Sequence, residues 1–379
     1  MDKNILQRLN NLSDSLQKLY EPIDIYRYTA PINRITEKQR LFVSHEAGEV
    51  YNPQFTYQTP PSDWEKPLHQ FLTELHRNEN EWEQLIYLDV SLTLDLMRGV
   101  TNRDTALITE ASINFYGQPT EELTQSAYQE IASLSTKPEL RTISAKNMAE
   151  QMKNALTNAS LVDWQVIVNE NMNARISVNS EIKQVNVNLE ALFTISELKR
   201  LLIHEIGTHV FRSVNGSLQT LGLLQLGLYN YMATEEGLAS YHEVLYGVQS
   251  AEDQLRYALR VIAAYMSLNH SFYEVFCELT KYTTKDEAFD IVTRAKRGFI
   301  DTSKHGCHVK DKVYFEGFHQ VSSHLKNYPT DYSLLMSGKV SLSMLPALRE
   351  LRETGYLLEP QYLPKQLIFG NDLAGIMAK

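Results

Sequence analysis

Cysteine is scarce in this sequence, because only Cys277 and Cys307 occur among its 379 residues. Two cysteines cannot form the disulfide framework of a small secreted domain, and they cannot supply a metal site made of several thiolates. Basic residues are also in deficit, with 36 Lys and Arg against 46 Asp and Glu, a net charge of −10 and no Lys/Arg-rich tract. That balance argues against a nucleic-acid-binding protein, so we expect no nucleic-acid partner.

We expect neither a targeting segment nor a membrane span. The first nine residues mix charged with apolar side chains and do not form a signal peptide. Between Arg212 and Glu235 lie 22 uncharged residues, but Gln219, Gln225 and Asn230 interrupt them, so we interpret this stretch as a buried connection. With 43% hydrophobic and 22% charged residues, the composition is that of an ordinary globular protein. We therefore expect a cytoplasmic protein without a membrane partner.

The most informative segment that is present is the hexapeptide His204–His209, which reads His-Glu-Ile-Gly-Thr-His. The common zinc-hydrolase motif His-Glu-x-x-His places its histidines four residues apart on one helical face, with the glutamate as general base. Here the histidines are five residues apart, which leaves them about 140° apart around an α-helix. A turn widened to i→i+5 hydrogen bonds brings such rings together, and π-bulges of this kind are frequent at functional sites. We predict a widened turn between His204 and His209, where Gly207 eases the distortion.

The context of the hexapeptide favours a metal site. Thr194 and Glu197 form a capping box that starts a helix. Three leucines and then Glu205 follow on one stripe, and a carboxylate on an apolar face is unusual unless a cation lies there. The other His-Glu pairs, His45–Glu46 and His242–Glu243, lack a second histidine at usable spacing, so we interpret them as ordinary helix-surface or core residues.

The rest of the chain predicts an α+β fold that is predominantly helical. Apolar periodicity near 3.6 indicates helices at 3–20, 36–48, 66–98, 104–113, 120–134, 143–158, 235–247, 250–282, 285–298, 311–326 and 341–354. Short β-branched stretches at 164–168, 174–178 and 185–188 indicate a small antiparallel sheet directly before the His-Glu helix. This is the arrangement of zincin metallopeptidases, in which an extended substrate lies along an edge strand. We divide the chain into a helical N-terminal region, 1–100, and a zincin-like catalytic domain, 101–379.

Several motifs together resemble the tyrosine carboxypeptidase family. They are Phe115–Pro119 (Phe-Tyr-Gly-Gln-Pro), His204–His209, Glu235–Ala239 (Glu-Glu-Gly-Leu-Ala), Arg297–Ser303 and Lys310–Gly317. The matches span about residues 110 to 320 and follow the order of the family. Animal members of this family remove the C-terminal tyrosine of α-tubulin, and bacterial members are known by a Gln-Glu-Gly-Leu-Ala motif.

The resemblance implies a single catalytic Zn²⁺. Carried over residue by residue, it makes His204, His209 and Glu236 the zinc ligands and Glu205 the general base. Glu235 is the competing third ligand, although on a helix its side chain points about 100° away from that of Glu236. Two imidazoles and one carboxylate leave a fourth zinc position open, as catalytic sites do. Zinc lowers the pKa of water toward neutrality and polarises the scissile carbonyl.

An exopeptidase also needs a cation to hold the terminal carboxylate of its substrate. The resemblance favours Arg297 and Lys310, which lie in matching segments, and a solvated surface charge is the alternative interpretation of each. Tyr314 follows Lys310 by one helical turn, so it could hydrogen-bond the tetrahedral intermediate or be only a half-buried helix tyrosine.

We therefore expect a zinc metallopeptidase, and foremost a carboxypeptidase that removes a C-terminal residue, with an aromatic residue as the candidate. Its partner is the C-terminus of a peptide or protein. A zinc endopeptidase or amidase is an alternative that uses the same metal. The alternative of a different class is a regulatory or interaction protein with a vestigial metal site, and the intact Glu205 argues against it.

Overall fold

A computed structural model describes residues 3–21, 23–75, 80–136, 139–170, 172 and 174–367. Within these residues the chain is mostly helical and contains two small sheets. The predicted class, α+β and predominantly helical, is therefore confirmed. None of the described helices combines the length and the apolar character that a bilayer crossing requires.

Most of the predicted helices are present, with ends shifted by a few residues. The α-helices of the described residues are Lys3–Tyr20, Ile25–Thr29, Arg34–Glu46, Glu65–Glu74, Glu81–Asn102, Thr105–Tyr116, Glu121–Ser133, Ala145–Asn158, Ile195–Leu201, Phe211–Ser217, Leu223–Leu226, Tyr231–Leu245, Ala251–Ser267, Phe272–Leu279, Lys285–Ala295, Val313–Asn327, Tyr332–Met336 and Leu345–Glu353. A π-helix spans Leu202–Val210, and 3₁₀ turns span Val309–Lys312, Pro329–Asp331, Leu342–Met344 and Pro364–Leu367.

Two predicted helices are shorter than the sequence indicates. The predicted helix 66–98 corresponds to two helices, of which the second starts at the side-chain cap of Asn80, and residues 76–79 lie outside the described part of the chain. The predicted helix 250–282 ends at Ser267, and a new helix starts at the capping box of Ser271 and Glu274. Cap residues therefore overrule the continuous apolar periodicity in both places.

The strands are β1 (Ile143–Ser144), β2 (Gln165–Asn169), β3 (Ile176–Asn179), β4 (Gln184–Asn188) and β5 (Leu192–Phe193). β2, β4 and β3 form a sheet in that order, in which β3 and β4 are antiparallel and β2 and β4 are parallel. The prediction of an antiparallel sheet is therefore wrong for β2. β4 lies at the centre, and its Val185 and Val187 are both fully buried. β1 and β5 form a separate antiparallel pair, and strands of two residues carry no periodicity that could predict them.

The chain divides into two compact units. Unit 1 contains Met1–Gln17, Lys137–Ser250 and Gly317–Lys379, and unit 2 contains Lys18–Thr136 and Ala251–Glu316. The five strands of the described residues and the π-helix belong to unit 1. The predicted division into a helical region 1–100 and a catalytic domain 101–379 stays a prediction.

The uncharged stretch after Arg212 is a buried connection within unit 1, as predicted. It contains the end of the helix Phe211–Ser217 and the short helix Leu223–Leu226. Its leucines at the core are Leu221, Leu223, Leu224 and Leu228, each at most 1% exposed. The stretch leads directly into the helix Tyr231–Leu245, which packs against the π-helix.

Candidate metal centre

The two histidines of the hexapeptide lie on a π-helix. The α-helix Ile195–Leu201 begins at the Thr194 capping box and continues directly into the π-helix Leu202–Val210. Because each hydrogen bond of a π-helix spans five residues, His204 and His209 face the same side, and their ring centroids are 4.9 Å apart. The predicted widening of the turn is confirmed.

Gly207 serves this helix by its size. Its φ angle is not positive, so the residue is not needed for a left-handed conformation. A Cβ at this position would lie 3.2 Å from Pro364 Cβ and 3.3 Å from Leu367 Cδ1, which are tight contacts. The missing side chain therefore makes room for the 3₁₀ turn Pro364–Leu367 on the outer side of the π-helix.

The third candidate ligand comes from the helix Tyr231–Leu245, which we call the glutamate helix. Glu236 is 6% exposed, and its Oε2 lies 3.5 Å from His204 Nε2 and 3.6 Å from His209 Nε2. The three ligand atoms all lie within 4.8 Å of one another. The residues that the sequence proposed as ligands are thus brought together.

The two separations from Glu236 Oε2 fit a tetrahedral zinc ion. Ligand atoms about 2.1 Å from zinc and about 109° apart are about 3.4 Å from each other. Ligands of an octahedral Mg²⁺ at the same distance, about 90° apart, are only about 3.0 Å from each other. The observed 3.5 and 3.6 Å agree with the tetrahedral value. Two imidazoles with one carboxylate are also a donor set that zinc prefers.

Each histidine has a second carboxylate behind it. His204 Nδ1 lies 2.7 Å from Glu243 Oε1, and Arg200 Nη1 donates to the same oxygen at 2.7 Å. Gln249 Nε2 donates to the other oxygen of Glu243 at 3.0 Å. Burial raises the pKa of Glu243, but Arg200 and His204 lower it further, to about 2. Glu243 is therefore a fixed anion that accepts the Nδ1 proton of His204 and leaves Nε2 as the candidate ligand atom.

Glu235 plays the same part for His209. His209 Nδ1 lies 2.7 Å from Glu235 Oε1, and the guanidinium of Arg212 donates to Oε2. Arg212 is fully buried and also donates to the carbonyls of Leu335 and Val340, at 2.9 and 2.8 Å. Glu235 is therefore placed to orient a ligand, while its neighbour Glu236 faces both Nε2 atoms.

The carboxylates also set the charge of the two imidazoles. Burial lowers the pKa of His204, but the carboxylates of Glu236 and Glu243 raise it to about 9. Burial lowers the pKa of His209 too, and the carboxylates of Glu235 and Glu236 raise it to about 10. The electrostatic environment of both Nε2 atoms thus favours a positive charge, as a cation site requires.

Glu205 follows His204 on the same π-helix. It is 9% exposed, and its charge contributes to the raised pKa of His204. Among the described residues, the cluster of ligand atoms contains His204, His209 and Glu236 but not Glu205. The structure therefore places Glu205 next to the candidate ligands but outside their cluster.

The sequence analysis did not identify the residues that hold the candidate ligands in place. Both side chains of His242–Glu243 are fully buried, as the core interpretation predicts, but the pair is not an ordinary one because Glu243 contacts His204. Burial and then the charge of Arg212 lower the pKa of His242 to about 3. One signal was available, because Glu243 follows Glu236 by seven residues and so lies on the same helical face.

The predicted substrate-binding residues lie in unit 2, where each has partners. Arg297 Nη2 is 3.2 Å from Asp311 Oδ1, and Lys310 Nζ is 4.6 Å from the ring centroid of Tyr26. Arg297 and Lys310 are 8% and 7% exposed, so both are buried charges and not solvated ones. Tyr314 is half-buried on its helix. Their role toward a substrate stays a prediction.

Comparison with protein families gives one match over most of the chain. The sequence model of the family described as microtubule-associated tyrosine carboxypeptidase matches residues 41–379. The matched region includes both the π-helix and the glutamate helix, and therefore all the residues of the candidate metal centre.

Curated relatives match over shorter segments. Microtubule-associated tyrosine carboxypeptidase 1 of Mus musculus is 42% identical over 159 residues, which are 40% of this chain and 33% of the mouse protein. The protein of the same name from Rattus norvegicus is 40% identical over 158 residues, 40% of this chain and 33% of the rat protein. That of Homo sapiens is 36% identical over 187 residues, 48% of this chain and 39% of the human protein. The matched segments thus span little more than a third of these relatives.

Proposed function

The chain belongs to the microtubule-associated tyrosine carboxypeptidase family, and from this premise we propose that it is a zinc-dependent carboxypeptidase that acts on the C-terminus of a peptide or protein. The curated relatives are named as tyrosine carboxypeptidases, which makes a C-terminal tyrosine or another aromatic residue the first candidate for removal. Because the matched segments are only parts of those proteins, the proposal concerns the chemistry of this chain and not their protein partners.

The observation that carries the proposal is the convergence of His204, His209 and Glu236, whose ligand atoms lie within 4.8 Å of one another, with a carboxylate behind each imidazole. A structural zinc site is closed by four protein ligands, whereas three ligands are typical of a catalytic site. The described residues supply three. This count supports catalysis over a purely structural metal.

The surroundings of the π-helix support a zincin-like arrangement. The sheet β2-β4-β3 precedes the π-helix in the chain, and β3 contacts the π-helix. β2 and β3 are the edges of this sheet, and an edge strand can pair with an extended peptide. We propose that the peptide substrate uses such an edge.

The proposed mechanism assigns the proton transfers to Glu205. When bound, zinc supplies Lewis acidity that activates water and polarises the scissile carbonyl. The carboxylate of Glu205 accepts the proton of the attacking water and then donates it to the leaving amine. Glu243 and Glu235 hold the Nδ1 protons of His204 and His209, so that both Nε2 lone pairs stay directed at the metal position.

Metal analysis and a peptide panel test the proposal. The purified chain should contain about one zinc per chain, and it should release the last residue of peptides that differ only at their C-terminus. Glu205→Gln should keep the zinc and lose activity by a factor of about 10² or more. Glu190→Gln, at an exposed glutamate of the same unit, is the matched control and should behave like the parent chain.

Two results would refute parts of this proposal. A chain that binds no zinc at all, even when zinc is added in excess, is not a zinc enzyme. Internal cleavage products, with no release of the terminal residue, would replace the carboxypeptidase by an endopeptidase that uses the same metal.

A further inference from the structure

Thr208 has an unusual hydrogen bond inside the π-helix. It is fully buried, and its hydroxyl Oγ1 donates to the carbonyl of Ile203, five residues earlier, at 3.2 Å. Three threonines in described α-helices, Thr73, Thr124 and Thr157, bond instead to the carbonyl four residues earlier. The hydroxyl of Thr208 therefore bridges the widened turn itself.

The same hydroxyl is held from outside the π-helix. Thr208 Oγ1 lies 2.8 Å from Nδ1 of His242, which is fully buried on the glutamate helix. His242 Nε2 lies 3.0 Å from the hydroxyl of Tyr332. A chain of three hydrogen bonds thus connects Tyr332 through His242 and Thr208 to the carbonyl of Ile203.

The three hydrogen bonds can supply a donor to the Ile203 carbonyl in only one donor-to-acceptor direction. A neutral imidazole has one N–H and one acceptor nitrogen, and each hydroxyl has one hydrogen. Tyr332 must then donate to His242 Nε2, His242 Nδ1–H to Thr208, and the Thr208 hydroxyl to the Ile203 carbonyl. Each group thus accepts one hydrogen bond and donates the next one toward the π-turn. Hydrogen bonds arranged in one direction like this strengthen one another.

The outer end of the chain is fixed as well. Tyr332 starts a short helix directly after Asp331, which is 3% exposed. The carboxylate of Asp331 accepts from Arg349 at 2.6 Å and contacts His324 Nε2 at 2.8 Å. The series of hydrogen bonds therefore begins at a residue next to a fixed carboxylate and ends at the Ile203 carbonyl.

We propose that Thr208 is a positioning residue whose hydroxyl, held by His242 and Tyr332, fixes the width of the π-turn and thereby the spacing of His204 and His209. The inference rests on the zinc site proposed above. Without this bridge the segment can return to α-helical hydrogen bonds, which turn the two imidazoles away from each other.

Thr208→Val tests the bridge, because it removes the hydroxyl and keeps the shape. The zinc dissociation constant, measured by competition with a chromophoric chelator, should rise about 10- to 100-fold. The visible absorption bands of the Co²⁺-loaded chain should shift, because the spacing of the two imidazoles changes. Thr208→Ser keeps the hydroxyl. Its zinc dissociation constant should lie within about threefold of the parent value, and its Co²⁺ bands should match those of the parent chain. Thr124→Val is the control, since that buried hydroxyl bonds to an ordinary α-helix.

Tyr332→Phe provides a second variant in case Thr208→Val does not fold. It removes the first donor of the chain from a half-buried position, and it should raise the zinc dissociation constant about threefold or more. If the parent chain binds zinc and both Thr208→Val and Tyr332→Phe bind it with unchanged affinity and unchanged Co²⁺ bands, the inference is overturned and the zinc site stands. Failure of Thr208→Ser to restore binding also overturns it. A parent chain that binds no zinc refutes the proposed function instead.

Discussion

Replacing Glu235 by glutamine should weaken the fold far more than the same change at its neighbour Glu236. Glu235 is the counter-charge of Arg212, whose guanidinium is fully buried. The carbonyls of Leu335 and Val340 accept two of its other N–H groups, but they carry no charge. Glutamine at position 235 thus leaves a buried cation without an anion.

The expected magnitude follows from these contacts. Removing one partner of a buried ion pair costs about 3–5 kcal/mol, and the two remaining carbonyl bonds put Arg212 near the lower end. With a slope of about 3 kcal/mol per M, the midpoint of urea unfolding falls by about 1 M. Glu236→Gln should cost only about 1 kcal/mol, because His204 and His209 can release a proton when they lose this carboxylate, whereas arginine cannot.

Zinc affinity should rank the two variants in the opposite order. Urea unfolding is followed by circular dichroism after a chelator has stripped the metal, and zinc affinity is measured separately. Glu236→Gln should abolish tight zinc binding, whereas Glu235→Gln should weaken it about 10- to 100-fold. The reasoning is refuted if Glu235→Gln unfolds at the same urea concentration as the exposed control Glu190→Gln, or if Glu236→Gln binds zinc as the parent chain does.

Three further predictions concern the rest of the chain. Lys296→Met should lower the free energy of unfolding by about 2–4 kcal/mol, because the three N–H groups of the buried ammonium are shared among four backbone carbonyls that lie 2.8 to 3.0 Å from Nζ. Gly237→Ala should lower both the melting temperature and the zinc affinity, because its Cβ would lie 2.2 Å from the carbonyl carbon of Gly317. Burial raises the pKa of Asp89 to about 7, above its unfolded value of about 3.9, so this residue stabilises the fold in acid and the contribution is lost as pH rises from about 4 through 7. Asp89→Asn should remove that loss in unfolding measurements across this pH range.

Each of these has a result that contradicts it. Lys304 is exposed, so Lys304→Met should be silent, and an equal effect of both lysine variants would refute the role of the buried ammonium. If Gly237→Ala binds zinc and melts as the parent chain does, then the glutamate helix and the helix Val313–Asn327 can move apart without cost. A parent chain and an Asp89→Asn variant with parallel pH profiles would show that Asp89 does not titrate in this range.

The widened turn could be predicted because both histidines lie on one segment, where their spacing alone sets their angle. The roles of Glu235 and Glu236 could not be separated in this way. Which of two neighbouring glutamates faces the histidines depends on the rotation of the glutamate helix about its axis. That rotation is set by packing, including the backbone contact of Gly237 with Gly317, and a single sequence does not show it.

The errors in the fold have similar causes. Strand β2 pairs with β4 instead of with its sequence neighbour β3, and the alternation of side chains along a strand carries no information about its partner. The end of the predicted helix 250–282 at Ser267 could have been predicted, because the capping box of Ser271 and Glu274 can be recognised in the sequence. The apolar periodicity that continues through this segment favoured one long helix instead.

The division of the chain has a consequence for the order of biosynthesis. Unit 2 has been translated completely when residue 316 is made, but unit 1 still lacks its last stretch. That stretch supplies the carbonyls of Leu335 and Val340 that bind Arg212, and the backbone of Tyr362 that bonds to Asn215. Translation of these roughly 50 residues takes about 3–10 s. The nascent chain therefore contains both histidines and both glutamates for several seconds before the segment that contacts Arg212 and Asn215 has been made. We expect a metal ion to bind after translation and not to nucleate folding.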